Sequence, residues 1–306
     1  MKYNRFFIAA ALLGTVLSAC QREKEELIPE QKEHQTWTLT VKATKGQDTR
    51  ALVLDTDNNK LNAEWQTGEK VDVYFEDTYL GTLTAEEDGL SSALTGELND
   101  NASSLTANES ELTLIFPGRA QTTDDWTWTY IGQVGDLPAS FDYSMATVMV
   151  TGKSDGTITV TEDDVVFVNQ QSIYRFKFKE GDHLFKVNQF TVFSQNGKLV
   201  RSLSLGGTPT YGSITVNCLS SIAADDGYYV ALRNEYGASA NDTEPDDKYI
   251  FTFVDATTAA LYEGTKPIPA SKLYDKGKMV TKFMGATVTL TQKTIAAQDT
   301  EVTTAL

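Results

Sequence analysis

Trp37-Thr38-Leu39-Thr40-Val41, Val71-Asp72-Val73-Tyr74-Phe75 and Ala286-Thr287-Val288-Thr289-Leu290 carry the reading of the fold. In these stretches apolar and polar residues follow one another with a period of two. Successive side chains of a strand point to opposite faces, so such a stretch buries one face and wets the other. Working outward, Leu112–Phe116, Val165–Val168, Tyr174–Phe178, Phe190–Phe193, Tyr228–Leu232 and Tyr249–Val254 are rich in Val, Ile, Thr, Tyr and Phe, the residues that fit a pleated surface. Turn signals separate them: Asn58-Asn59, Asp88-Gly89, Asn196-Gly197, Gly206-Gly207, Asp226-Gly227 and Lys276-Gly277. Many short strands without a long helical period predict an all-β protein built of sandwiches. Short helices are expected at most around Thr84–Glu87 and Ser271–Tyr274.

The chain has 306 residues, enough for two domains of ~100–150 residues. The composition shifts around Asn169, which predicts one β-sandwich over 37–168 and a second over 169–306. With 26 Lys and Arg against 42 Asp and Glu, the net charge is −16. A surface of that sign repels phosphate backbones, so nucleic acid is not expected as a partner.

The N-terminus has its own logic. Lys2 and Arg5 precede an apolar run from Phe6 to Val16, followed by Leu17-Ser18-Ala19-Cys20. A basic start, a short apolar core and small residues at the cut describe a signal peptide over 1–19. The last four of these residues resemble the lipobox of bacterial lipoproteins, which implies cleavage before Cys20 and lipid on its thiol. Each buried methylene of such a lipid contributes ~0.8 kcal/mol of anchoring. Residues 20–36 are rich in Glu, Lys and Gln, contain Pro29, and read as a solvated tether. No later stretch approaches the ~18 apolar residues of a spanning helix. With Cys20 lipidated, Cys218 has no partner for a disulfide and reads as a small apolar residue of a strand over Ile214–Cys218.

Motifs of catalysis are sparse. His34 and His183 are the two histidines, and neither stands at zinc-ligand spacing from a second ligand. There is no G-x-S-x-G, Walker A or G-x-G-x-x-G motif. Asp55-Thr56-Asp57-Asn58-Asn59-Lys60 opens like a calcium loop, but it lacks glycine at the sixth position and has Gln66 at the twelfth, so it reads as a hairpin turn. The pairs Asp124-Asp125, Asp163-Asp164 and Asp246-Asp247 read as loop charges rather than a glycosidase dyad. No enzyme, metal or cofactor is expected. Trp126-Thr127-Trp128-Thr129-Tyr130 puts three rings on one strand face, either the core face of the first sandwich or a platform for a glycan or protein.

Thr49-Arg50-Ala51-Leu52-Val53-Leu54, the run from Lys60 to Tyr74 with its Trp65-Gln66-Thr67-Gly68-Glu69-Lys70-Val71 core, and Thr95-Gly96-Glu97-Leu98 together resemble the opening of the fimbrillin-like lipoproteins of Bacteroidales. Tyr249–Phe253 followed by Leu261–Lys266 is similar to their second half. That resemblance implies a type V pilin or accessory subunit with two transthyretin-like sandwiches, exported as a lipoprotein to the outer membrane and exposed on the cell surface. It implies other pilin subunits as partners, a trypsin-like protease that cuts after an arginine following the first strand, and a C-terminal strand of another subunit that fills the vacated groove. A host protein or glycan is a further partner class.

Placed on this chain, the first strand is Trp37–Ala43, the cut follows Arg50, and Ala51 becomes the new N-terminus. The intervening loop, Thr44 to Arg50, is polar and contains Gly46, as protease-sensitive loops are. Withdrawing Trp37, Leu39 and Val41 removes ~5–9 kcal/mol of burial at ~1.5–3 kcal/mol each, against a total domain stability of ~5–15 kcal/mol. A cut subunit therefore needs a replacement strand. The donor is expected within Thr287–Leu306, where Val302, Thr304 and Leu306 share one face. The alternative is a surface module that binds a glycan or protein through the Trp126–Tyr130 face.

Overall fold

The computed structural model describes residues 36–45, 53–55, 60–62, 64–119, 126–136, 142–161, 164–235, 247–268 and 284–293. Among them the protein is all-β, with a single 3₁₀ turn at Asp100–Ser104, where the Asn99 side chain accepts from the Asn101 N–H. The described residues fall within one compact unit. The expected helix at Thr84–Glu87 is not there: Thr84 and Ala85 finish strand Thr78–Ala85, and Thr84 pairs with Lys70 and Thr95. Ladder hydrogen bonds from both neighbours outweigh the local preference of four residues.

The first sheet contains β1 (Trp37–Lys45), β4 (Lys70–Phe75), β5 (Thr78–Ala85), β6 (Ser91–Leu98), β7 (Glu111–Phe116), β9 (Ser144–Ser154), β10 (Thr157–Val160) and β11 (Val165–Asn169). Its antiparallel run β11-β9-β7-β4-β5-β6 closes on itself because β1 pairs with both ends, β11 and β6. A short hairpin of β2 (Val53–Asp55) and β3 (Lys60–Asn62) stands where the calcium-like sequence reads as a turn.

The second sheet runs β13 (His183–Leu184), β12 (Ser172–Glu180), β21 (Met284–Lys293), β20 (Leu261–Pro267), β19 (Lys248–Val254), β14 (Gln189–Ser194), β17 (Ile214–Asn217), with β18 (Tyr228–Leu232) also on β12. A small sheet joins β8 (Thr127–Thr129) to β15 (Val200–Ser204), which pairs in turn with β16 (Thr210–Tyr211).

Two hydrophobic cores meet at β4 and β7. Val71, Val73, Leu112 and Leu114 face the first core, while Tyr74 and Ile115 belong to the second. Both faces of these strands are covered, which explains their near-continuous burial. Trp126, Trp128 and Tyr130 are buried in that second core with Tyr143. The core-face reading of these rings is right, but the core is the second one, not the first. The residue pattern encodes burial and leaves open which layer supplies it. Gln133 ties the 126–136 segment to β18: its amide donates to the Tyr130 and Ala231 carbonyls and accepts from the Ala231 N–H.

Candidate functional site

Strand β1 is the best candidate for a working part. Its inward residues Trp37, Leu39, Val41, Ala43 and Lys45 are all buried, while Thr38, Thr40 and Lys42 face out. The strand ladders antiparallel to β6 over eight residues, from Trp37 opposite Leu98 to Thr44 opposite Ser91. On its other side it runs parallel to β10 at Thr38 and Leu39, and parallel to β11 from Ala43 to Lys45. Taken out, β1 would leave two unpaired strand edges facing each other across an apolar trench, a shape that another strand fills well.

The sequence reading stops the strand at Ala43; the structure carries it to Lys45, which is only 2% exposed. The Lys45 Nζ donates to Glu69 Oε2 at 2.7 Å and to the Glu64 carbonyl at 3.3 Å. It also lies 4.5 Å from the Trp65 ring centroid and 4.0 Å from that of Phe116, within cation–π range. Trp65 in turn donates its indole N–H to the Ala43 carbonyl at 3.0 Å and meets Phe116 and Phe167 edge-on. Burial pushes the nearby Asp142 carboxyl up to about 7, with Lys45 opposing the rise and Glu69 adding to it. A lysine at the end of an apolar alternation reads as an exit to solvent, which is why sequence reasoning missed it. The available signals were its even parity with Val41 and the downstream Trp65-x-x-Gly68-Glu69 that receives it.

The remaining positions divide plainly. Trp37, Leu39 and Val41 come together as one buried face in the first core. Cys20, Arg50, Ala51, Val302, Thr304 and Leu306 lie outside the described residues. The first part of the expected donor segment forms β21, whose Val288 and Leu290 are buried in the chain's own second core. It runs parallel to β12 from Met284 to Thr289 and antiparallel to β20 from Leu290 to Lys293.

The other candidates are structural. Trp126 and Trp128 are 1% and 3% exposed and meet edge-on with centroids 4.6 Å apart, so neither offers a face to a sugar ring. Asp247 is buried and holds a turn, accepting from Ser194 Oγ and the Asn196 N–H. Asp124, Asp125, Asp163 and Asp246 lie outside the described residues. A cavity of about 470 Å³ opens between Trp128, Val166, Gln170, Leu203 and Arg233. The Arg233 guanidinium there is engaged by Gln170 and Glu235. Among the described residues no three His, Cys, Asp or Glu side chains are grouped to hold a metal, and no helix is long and apolar enough to cross a membrane.

No family model and no curated protein matches the chain. Among solved structures it is similar to a candidate cell adhesion protein of Bacteroides ovatus, at 13% identity and a TM-score of 0.40 over 85% of this chain and 96% of that one. A second such protein, from Bacteroides uniformis, gives 13% and 0.40 over 84% and 96%. A fimbrial assembly protein of Parabacteroides distasonis gives 8% and 0.37 over 85% and 100%.

Proposed function

We propose that this chain is a structural or accessory subunit of a cell-surface fimbria of the type V pilus kind, supporting adhesion, and that it assembles by loss of β1 and its replacement with a strand from another subunit. The single observation that carries the reading is the setting of β1: one terminal strand closes the first sheet, antiparallel to β6 and parallel to β10 and β11, with every inward side chain buried. In this reading Arg50 is the processing site, Ala51 the new N-terminus, and Cys20 carries the lipid that holds the subunit at the outer membrane before assembly. The chain acts by binding and not by catalysis.

The test is limited trypsin digestion of the folded, unlipidated protein, followed by mass spectrometry and gel filtration. An early cut after Arg50, followed by a ladder of oligomers, is expected. Lasting resistance at Arg50 with a monomer throughout would remove strand exchange and favour a stationary surface-binding module.

A further inference from the structure

The inward face of β1 is apolar until its last position, where it delivers a cation into a built receptor. Three kinds of group meet the Lys45 ammonium there: the Glu69 carboxylate, the Glu64 carbonyl and the faces of Trp65 and Phe116. Trp65 is fully buried, and its indole N–H is tied to the Ala43 carbonyl of β1 itself. Asp142, only 5% exposed, lies near enough for Lys45 and Glu69 both to act on its carboxyl. If β1 leaves, this receptor stays behind on the body of the subunit. An apolar side chain in the same place would leave Glu69 without its ion pair and the two rings without their cation. Arginine fits less well, because a single carboxylate oxygen beside two ring faces matches a compact ammonium and not a planar, two-pronged guanidinium.

We propose that the β1 groove selects its incoming strand by an inward lysine, received by Glu69, Trp65 and Phe116, and that the strand belongs to a different subunit and not to the 294–306 segment of a second copy. This selection rests on the replacement of β1 proposed above. The occupant alternates apolar and polar residues and places lysine four residues after an inward aliphatic, as Lys45 follows Val41. Residues 294–306 contain no Lys or Arg and two acids, Asp299 and Glu301. The last lysine before them, Lys293, follows Leu290 by three residues and so is out of step with a period of two. The 294–306 segment therefore lacks the charge that this groove receives, which favours assembly of unlike subunits.

The experiment uses the full chain, nicked at a specific protease site inserted after Arg50 so that β1 is held only by its contacts. Fluorescent peptides compete for its place: the Trp37–Lys45 sequence, the same peptide with Lys45→Met, and the 294–306 sequence. Anisotropy and native mass spectrometry read the exchange. The lysine peptide is expected to displace β1, and the Lys45→Met peptide to bind at least about tenfold more weakly, having lost a charge-assisted bond and two ring contacts. The 294–306 peptide should do no better than the methionine peptide. In a nicked Glu69→Gln chain the gap between the lysine and methionine peptides should narrow markedly. Equal uptake of those two peptides by the unsubstituted nicked chain overturns lysine selection and leaves replacement of β1 standing. Tighter uptake of the 294–306 peptide than of the lysine peptide overturns the assignment to a different subunit. Retention of β1 against all three overturns replacement itself, and the selection with it.

Discussion

Strands β1 and β21 are the first and last described strands, and they are alike in a way that no other pair is. Among the described residues, every parallel pairing involves one of them: β1 with β10 and β11, and β21 with β12. Each also has an antiparallel partner on its other side, β6 for β1 and β20 for β21. Each antiparallel partner places a glycine opposite an inward leucine, Gly96 opposite Leu39 and Gly264 opposite Leu290. The difference lies at the buried ends. β1 finishes in a buried cation held by Glu69, whereas the described inward residues of β21, Val288 and Leu290, are aliphatic. An aliphatic strand is interchangeable with many others of the same period; a strand that carries a charge into a receptor is not.

The largest effect that would break this comparison comes from placing a charge inside each strand. Leu39→Asp should unfold the first sheet, costing more than ~4 kcal/mol through lost burial and an unpaired buried charge. Val288→Asp should do the same to the second. Hydrogen exchange resolves the two: if the sheets are separable, each variant loses protection mainly on its own side. Loss everywhere in both variants would show that the shared strands β4 and β7 make one cooperative block.

A middle-sized effect sharpens it. A Cβ on Gly264 would stand 2.6 Å from Val288 Cγ1 and 2.7 Å from the Thr289 carbonyl oxygen, so Gly264→Ala should push on β21 itself. A Cβ on Gly96 would meet the Thr82 carbonyl, on the far side from β1. We expect each to cost ~1–3 kcal/mol. Gly264→Ala should raise exchange within 284–291, and Gly96→Ala within β5 rather than β1. The reverse pattern would show that glycine opposite a terminal strand serves some purpose other than close approach.

The most gradual effect is in pH. With its carboxyl raised to about 7 by burial, Asp142 holds its proton in the folded state over a range where the unfolded chain has lost it. Its contribution is fully present below the unfolded value near 3.8 and is lost as pH rises towards 7. The slope is at most about 1.4 kcal/mol per pH unit. Denaturant midpoints measured across this window should fall with pH in the unsubstituted chain and flatten in Asp142→Asn. An unchanged slope would show that burial does not hold the Asp142 proton in the folded state.

Much of the strand inventory was legible. The ranges around Leu112–Phe116, Val165–Val168, Tyr174–Phe178 and Tyr249–Val254 all became strands, because β-branched and aromatic residues fit a pleated, half-buried surface. The eleven residues of β9 were missed: Thr147, Val148, Val150 and Thr151 favour a strand, but the small or polar Ser144, Ala146 and Gly152 on either side blur the alternation. That strand exists because β7, β10 and β11 pair with it. The buried face Trp37, Leu39 and Val41 was readable from alternation alone; Lys45 was not, because its burial depends on Glu69, Trp65 and Phe116, which are remote in sequence.

By itself, then, the sequence determined the class of the protein: a period of two is a local property that each strand carries whatever its neighbours are. It also determined the chemistry lining each face, the acid-rich surface and the lipobox-like start. The tertiary structure alone decided that β1 closes a sheet through parallel and antiparallel neighbours at once, that three rings from 126–130 fill the second core, and that a lysine ends up inside. These are pairings between residues tens to hundreds of positions apart. Their free energy is set by which surfaces meet once the chain has closed those loops, and no local pattern records that.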